Sequence, residues 1–286
     1  MQVWPAPAKL NLFLHVTGRR DDGYHLLQTV FQFLDFADEL RFRVTDDGAI
    51  TRAMPLPRVA EETDITLRAA RLLKTVSGTD KGVEIHLNKR IPLGGGLGGG
   101  SSDAATTLLA LNHLWGVDLQ RTQLIELGLQ LGADVPVFIG GRAAWAEGVG
   151  EVLMPIEPEE VWYVVLVPPV QVSTAQVFRD LGLAGFSPPI TISDFQAGRV
   201  RNDLEHAVRE RYPEVDKTLQ WLARFGQPRM TGSGACVYLP VKDEPEGRWI
   251  LGQHPQSLSG FVARGVNIHP LFAIHHESSS WGVGPP

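Results

Sequence analysis

The chain has 286 residues, of which 43% are hydrophobic and 20% are charged, and its formal net charge is −6 at pH 7. This composition is typical of a globular protein with one large domain or two medium ones. The negative charge argues against a broad nucleic-acid-binding surface, and the single cysteine, Cys236, excludes an internal disulfide. Because there is no long apolar run and no signal-peptide pattern, we expect a cytoplasmic protein that binds neither nucleic acid nor membrane.

Periodicity and turn residues predict a mixture of strands and helices. In chain order these are strands at 8–16, 28–36 and 40–44, a helix at 64–76, a strand at 83–87, helices at 104–115 and 121–131, a strand at 161–167, helices at about 202–212 and 214–225, and a strand at 235–239. Either Thr63 or Asp64 could cap the first helix. Since strands and helices do not alternate strictly, the pattern favours an α+β fold.

A boundary between two halves is predicted near Pro155, where an acidic stretch at 157–160 follows. We therefore expect an N-terminal domain over residues 1–155 and a C-terminal α+β domain over residues 156–274. The polar, glycine-rich residues 275–286 are typical of a flexible tail.

A glycine-rich loop precedes the helix predicted at 104–115. Six glycines lie between Gly94 and Gly100, interrupted only by Leu97, and Ser101 and Ser102 follow. Such a loop can line an anion with backbone N–H groups, and the start of the helix adds partial positive charge, so a phosphate chain is the expected ligand. A flexible linker is the alternative, but such linkers do not usually join a strand directly to a helix.

Two familiar phosphate-binding motifs do not fit this loop. A Walker loop needs a lysine after its last glycine, where this chain has Ser101. The spacing of Gly94, Gly96 and Gly99 formally matches the dinucleotide fingerprint, but no strand-ending acid follows at the required distance, since Glu126 lies within a helix pattern.

Three segments together resemble the small-molecule kinase superfamily named for galactokinase, homoserine kinase, mevalonate kinase and phosphomevalonate kinase. They are PAKLNL at 7–12, the glycine loop within 92–105, and MTGSGAC at 230–236. Within the superfamily the similarity is greatest to a branch whose substrate carries a cytidine diphosphate group. It rests on further segments at 7–35, 131–138, 146–151, 230–238 and 263–271.

This resemblance implies an α+β, two-domain kinase fold with a central cleft for substrate and ATP. The implied reaction is phosphorylation of an alcohol hydroxyl by ATP, accompanied by Mg²⁺. We expect a monomer or a weak homodimer with no dedicated metal site in the protein. The residues implied to bind the ATP phosphates are Gly94, Gly95, Gly96, Gly98, Gly99, Gly100, Ser101 and Ser102.

The resemblance also implies a catalytic pair, Lys9 and Asp134. From position alone, Asp134 before Val135 and Pro136 is a candidate helix N-cap, and Lys9 could be a solvated charge at a strand edge. In the superfamily motifs these positions instead belong to an aspartate that accepts or orients the hydroxyl proton and a lysine that keeps this aspartate ionised.

Five further residues are implied to bind the substrate: Asn11, Tyr24, His25, Thr174 and Phe178. Tyr24 and Phe178 would stack on the cytosine base, His25 would read its edge, Thr174 would contact the ribose, and Asn11 would bond the diphosphate or the alcohol. Without the resemblance, ordinary turn and core packing explains the aromatic residues, and a hydrogen bond at a strand end explains Asn11.

Two acids depart from the pattern of the family branch, which often has asparagine at both positions. Asp103 follows the two serines of the loop, and Asp64 lies beside the implied adenine pocket. Their negative charge bears on the affinity for ATP rather than on the class of reaction.

Three other functions remain open. The protein could phosphorylate another alcohol, such as mevalonate or homoserine, but these have no base for Tyr24 and Phe178 to stack on. It could be a non-catalytic nucleotide-binding regulator, which the presence of both Lys9 and Asp134 disfavours. A dinucleotide oxidoreductase is disfavoured by the context of the glycine loop.

Overall fold

The computed structural model describes residues 1–57, 59–181 and 185–274. Within these, the strands are β1 (Trp4–Arg19), β2 (His25–Thr45), β3 (Ile50–Arg52), β4 (Gly82–Asn88), β5 (Ala144–Glu147), β6 (Val152–Pro155), β7 (Trp162–Val167), β8 (Arg229–Met230), β9 (Val237–Val241) and β10 (Ser259–Val266). The helices are α1 (Ile65–Ser77), α2 (Gly99–Leu114), α3 (Arg121–Leu131), α4 (Val135–Gly140), α5 (Thr174–Leu181), α6 (Ile192–Gln196), α7 (Glu205–Arg211), α8 (Pro213–Leu222), α9 (Glu244–Leu251) and α10 (Pro270–Ile274). None of these helices is long and apolar enough to cross a bilayer. The predicted tail at 275–286 lies outside the described residues.

The strands form one connected sheet. Its order is β3-β4-β2-β10-β7-β9-β8, with β1 paired to β2, β5 paired to β2, and β6 paired to β5. Strand β10 bonds β7 along most of its length and β2 through Gly265 and Val266, so it joins the two halves of the chain. The mixed pairing and the clustering of helices agree with the predicted α+β class.

The two strands predicted at 28–36 and 40–44 are one long strand, β2. Asp38 lies between them, fully buried, and continues the pairing with β1. Its carboxylate accepts hydrogen bonds from the backbone N–H groups of Arg90 and Ile91 at 2.5 and 2.8 Å. Because these hydrogen bonds replace water around the buried carboxylate, Asp38 can lie within the strand, and the chain does not turn at this point.

Strand β1 contributes to three hydrophobic cores, which together place its middle residues in the centre of the molecule. Its first residues, such as Trp4, pack with helices α1–α4, and Leu14 and Val16 pack with β7, β9, α7 and α8. Leu10 and its neighbours belong to a third core shared with β2, β7 and β9. The residues of β1 between the cores are therefore held between the two halves.

Candidate active site

The glycine loop is pressed against β1 and against the turn between β8 and β9. Gly96 and Gly98 have φ angles of +76° and +70°, which residues other than glycine rarely adopt. A Cβ atom on Gly96 would lie 2.3 Å from the carbonyl oxygen of Thr231, and one on Gly98 would lie 2.9 Å from the Phe138 ring and 3.0 Å from Lys9. Backbone contact this close requires glycine at both positions.

Helix α2 begins inside this loop, at Gly99, rather than at Ala104 as the sequence pattern predicts. Gly98 occupies the N-cap position and offers no side chain to cap the helix. The N–H groups of the first helical turn therefore have no partner within the helix and carry its positive dipole end. Ser101, in this first turn, lines the adjacent cavity, where an anion could accept these hydrogen bonds.

The predicted phosphate-binding residues divide into two sets. Gly94, Gly96, Gly98 and Ser101 line the cavity. The other four pack against protein. A Cβ atom on Gly95 would lie against the Cys236 sulfur, one on Gly99 against Lys89 and Ile91, and one on Gly100 near Ile65. Ser102 is fully buried, and its Oγ has no hydrogen-bond partner among the described residues. The first set borders the cavity, whereas the backbone N–H groups of Gly99 and Gly100, in the second set, belong to the open first turn of α2.

Lys9 and Asp134 meet beside the loop. The Lys9 ammonium lies 3.2 Å from Asp134 Oδ2 and donates to the carbonyl oxygen of Gly96 at 3.2 Å. The Lys9 side chain is 3% exposed, whereas that of Asp134 is 35% exposed and faces the cavity. Although Asp134 occupies the N-cap position of α4, its side chain makes no capping hydrogen bond, so the carboxylate remains available to Lys9 and to a ligand.

Asn11 holds the lysine in place. Its Oδ1 accepts from Lys9 Nζ at 2.5 Å, and its Nδ2 donates to Thr29 Oγ1 at 2.9 Å. Its backbone N–H donates to Thr231 Oγ1, also at 2.9 Å. The ammonium also lies 5.1 Å from the centre of the Phe31 ring. Contacts from three directions thus fix the position of the Lys9 charge.

The turn between β8 and β9 forms the opposite wall, and the sequence analysis identified it only as part of the MTGSGAC segment. Thr231 and Ser233 were not singled out, although they lie in the same MTGSGAC segment. Asn202, which precedes α7, was missed altogether. Its Nδ2 donates to the carbonyl oxygens of Met230 and Gly232 at 2.9 and 2.8 Å and so fixes the turn. No periodic signal marks such a residue.

Aromatic side chains lie at the other end of the cavity. Tyr24 is 65% exposed. His25, rather than Tyr24, stacks on Phe178, with ring centroids 4.9 Å apart and an interplanar angle of 26°. Burial lowers the pKa of His25, and the charge of Arg19 lowers it further, which favours the neutral ring. Thr174 Oγ1 lies 2.7 Å from Ser233 Oγ, which links α5 to the turn that follows β8.

One cavity of about 820 Å³ connects all these groups. It is lined by Lys9, Asn11, Tyr24, His25, Asp134, Thr174 and Phe178, together with residues that sequence reasoning did not select, among them Arg19, Thr29, Phe31, Ala133, Gly150 and Arg179. Both halves of the chain contribute to its walls. Its size fits a nucleotide-sized ligand or a pair of small substrates.

The two acids that depart from the family pattern do not line this cavity. Asp64 caps α1 by accepting from the N–H of Thr66 at 2.9 Å, and it pairs with Arg52. Asp103 is buried and bonds Lys89 at 2.7 Å. Burial raises the pKa of Asp103 to about 8, an effect that Lys89 opposes and nearby Asp38 reinforces. Both acids are thus turned into the protein, and neither carboxylate faces the cavity.

Among the described residues, no three His, Cys, Asp or Glu side chains are placed to hold a metal ion. The anion-binding groups of the cavity are backbone N–H groups and Lys9, which suit a phosphate chain rather than a cation.

Comparison with known proteins agrees with this geometry. The model of the GHMP kinases N terminal domain matches residues 64–142, and that of the GHMP kinases C terminal domain matches residues 191–253. A solved mevalonate kinase shares the fold, with a TM-score of 0.70 and 16% identity over 93% of this chain and 100% of that one.

More similar proteins carry one common name. A 4-diphosphocytidyl-2-C-methyl-D-erythritol kinase from Thiobacillus denitrificans is 57% identical over 95% of this chain and 98% of its own length. A crystal structure of 4-(cytidine 5'-diphospho)-2C-methyl-D-erythritol kinase has a TM-score of 0.81 and 34% identity, covering 92% of this chain and 99% of that one. The chain therefore belongs to the 4-diphosphocytidyl-2-C-methyl-D-erythritol kinase family of the GHMP kinases.

Proposed function

We propose that this kinase transfers the γ-phosphoryl group of ATP to the 2-hydroxyl of 4-diphosphocytidyl-2-C-methyl-D-erythritol. The products would be the 2-phosphate and ADP, in the non-mevalonate route to isopentenyl diphosphate. The observation that carries the proposal is the 3.2 Å contact between Lys9 and Asp134 beside the glycine loop, within one cavity. An amide-lined anion site and an acid–base pair are the two parts that phosphoryl transfer to an alcohol needs.

The chemical roles follow from this arrangement. Gly94, Gly96, Gly98 and Ser101 would hold the phosphate chain of ATP, and the first turn of α2 would stabilise its negative charge. Asp134 would orient the substrate hydroxyl and accept its proton as the oxygen attacks phosphorus. Lys9 would keep Asp134 ionised and stabilise charge on the attacking oxygen.

The aromatic end of the cavity would bind the cytidine. Tyr24 and Phe178 offer ring faces for the base, and His25 would leave the face of Phe178 when the base enters. The neutral state of His25, favoured by its lowered pKa, leaves one ring nitrogen able to accept a hydrogen bond. Thr174 would contact the ribose.

Three further features belong to the same proposal. Mg²⁺ would enter as the ATP complex and would help to neutralise the charge of the phosphate chain. The enzyme would act in the cytoplasm. It would act as a monomer or a weak homodimer.

The test is phosphoryl transfer from ATP to the cytidine substrate by the parent and by Asp134→Asn. We expect kcat to fall by about 10²- to 10⁴-fold, since a positioned general base contributes this much. Asp80→Asn is the matched control, because Asp80 is exposed and does not line the cavity. Equal melting temperatures would show that both variants fold.

Other outcomes would change the assignment. Unaltered turnover in Asp134→Asn would remove that residue from the mechanism. Turnover of free mevalonate or homoserine in preference to the cytidine substrate would assign another alcohol. An intact fold that binds ATP but phosphorylates none of these alcohols would identify a regulator.

A further inference from the structure

Two arginines converge on the aromatic end of the cavity from different elements. Arg19 is the last residue of β1, and Arg179 follows Phe178 on α5. Both line the cavity together with His25 and Phe178. The chain as a whole is acidic, with a net charge of −6, so two cations at one end of this cavity are a local reversal of charge.

Neither arginine pairs with a carboxylate among the described residues. Arg19 Nε donates to the carbonyl oxygen of Gly23 at 3.2 Å, and Arg179 Nη2 donates to Gln176 Oε1 at 2.7 Å. Both partners are neutral, and each guanidinium retains further N–H donors. The two positive charges are therefore available to an anion.

Asp22, an acid at the same end of the cavity, is already paired with another arginine. Its Oδ2 lies 2.7 Å from Arg20, the neighbour of Arg19. Arg20 does not line the cavity. The loop thus contains one paired arginine that faces away from the ligand space and one unpaired arginine that faces it.

The charge of Arg19 also acts at the ring that would meet the base. After burial, it is the second cause that lowers the pKa of His25. Arg19 is the partner of His25 in the β1–β2 register, so it lies beside the stacked pair of His25 and Phe178. A nucleoside whose base lies on Phe178 carries its diphosphate within reach of long side chains there.

We propose that Arg19 and Arg179 bind the diphosphate of the cytidine substrate and make the enzyme select a nucleoside diphosphate over the bare nucleoside. This inference rests on the proposed function. Guanidinium groups match phosphate oxygens with paired, charge-assisted hydrogen bonds, which a neutral glutamine cannot supply. The two arginines would set substrate specificity at a distance from Lys9 and Asp134, where the reaction takes place.

Calorimetric titration with CDP, CMP and cytidine tests this, because it does not depend on turnover. We expect the parent to bind CDP at least about tenfold more tightly than cytidine, as a charge-assisted hydrogen bond to phosphate would provide. Arg19→Gln and Arg179→Gln should each weaken CDP binding by about five- to tenfold and change cytidine binding by less than about twofold. Arg179→Lys should retain part of the preference, since it keeps the charge without the fork.

Arg248→Gln is the matched control and should leave CDP binding unchanged, because Arg248 is exposed on α9 and does not line the cavity. Equal losses for CDP and cytidine in the Arg19 and Arg179 variants would show that these arginines hold the nucleoside or the fold, and the proposal would be wrong. Unchanged CDP binding would also overturn it. If the parent bound none of the three compounds, the proposed function itself would fail, which is a different result from loss of discrimination in the variants.

Discussion

Lys9 is a charged side chain that is 3% exposed, and such a charge is stable only when its partners replace water. Those partners are Asn11, the Gly96 carbonyl and Asp134, and Asn11 and Gly96 are also among the residues that we propose to bind substrate and phosphate. The requirement for stability therefore coincides with the requirement for catalysis. Removing any one partner would move the Lys9 ammonium and would also weaken the interactions that stabilise its charge.

Because Lys9 and Asp134 lie 3.2 Å apart and are proposed to act as one unit, their substitutions should not be additive. Lys9→Ala and Asp134→Asn should each lower kcat by about 10²- to 10⁴-fold, and the double variant should be little worse than either single variant. Steady-state turnover of all four proteins gives the coupling directly. Losses that multiply in the double variant would mean that the two residues act independently.

The tight contact of the glycine loop with Thr231 gives a second prediction. Gly96→Ala should lower the free energy of unfolding by about 1–3 kcal/mol more than Gly94→Ala. Both glycines have positive φ, +76° and +68°, so backbone strain is common to the two variants. Only at Gly96 would the added Cβ meet a backbone oxygen, since nothing lies within 4 Å of that position at Gly94.

Urea unfolding of the two variants measures the difference between them. In Gly96→Ala the loop must move away from Thr231, so we also expect a higher KM for ATP than in Gly94→Ala. Equal unfolding free energies in both variants would show that the loop moves without cost and that the contact with Thr231 is not stabilising.

At the scale of elements, helix α2 is tied to β2 by a buried group of charges. Lys89 lies between two acids, bonding Asp38 at 2.5 Å and Asp103 at 2.7 Å. A Cβ atom on Gly99, the first residue of α2, would lie 2.9 Å from the Lys89 ammonium. Lys89 is thus shared by two carboxylates directly behind the glycine loop. A proton on Asp103 would remove the excess negative charge of this group.

This arrangement predicts a dependence of stability on pH. Burial raises the pKa of Asp103 to about 8, whereas an unfolded aspartate ionises near pH 3.9. The folded state therefore holds the proton more tightly, and the stabilisation from this group is complete below about pH 4 and is lost as pH rises through about 8. Between about pH 5 and pH 9, the parent should lose about 1–3 kcal/mol more unfolding free energy than Asp103→Asn.

Chemical unfolding at both pH values measures this change in unfolding free energy, with Asp80→Asn as the exposed control. Asp80→Asn should follow the parent, since its carboxylate is exposed. If Asp103→Asn also follows the parent at both pH values, Asp103 is ionised throughout and Lys89 alone neutralises the pair.

Elements with local signals were predictable from the sequence. Helix α1 was predicted at 64–76 and runs over Ile65–Ser77, because Asp64 caps its start and Gly78, with φ of +68°, ends it. The start of α2 was not found, since glycines at 99 and 100 are poor helix formers and only the loop geometry makes them helical. Short elements such as α4, which has six residues, carry too little periodicity to detect.

The residues of the candidate site also divide into those with a local signal in the sequence and those without one. Lys9 and Asp134 are found through motifs, because each lies in a recognisable local segment. Their proximity in space is not a local property of the sequence. Asn11, which bonds Lys9, is itself bonded to Thr231, 220 positions away in the chain. No period of 2 or 3.6 residues reports such a contact. The stacking of His25 on Phe178 likewise depends on how α5 packs on the end of β1 and the start of β2.

At the scale of the whole molecule, the cavity exists because β1, β2 and β10 hold the two halves together. Gln32, on β2, is fully buried at this junction. Its Oε1 accepts from the Tyr163 hydroxyl of β7 at 2.9 Å, and its Nε2 donates to Glu159 O and Asn267 Oδ1, both at 3.1 Å. The Gln32 side chain therefore bonds strand β2 to three segments of the other half of the chain.

We expect Gln32→Ala to lower the free energy of unfolding by about 2–4 kcal/mol, because it leaves a cavity and buried polar partners without hydrogen bonds. Gln220→Ala is the control, since Gln220 is exposed on α8 and its side chain bonds Asp216 at the surface. If the junction couples the halves, hydrogen exchange should quicken in peptides from β1–β2 and from β7–β9 alike. Quickened exchange confined to β7–β9 would mean that the halves open independently, and that residues 1–155 and 156–274 behave as separate domains joined only at the cavity.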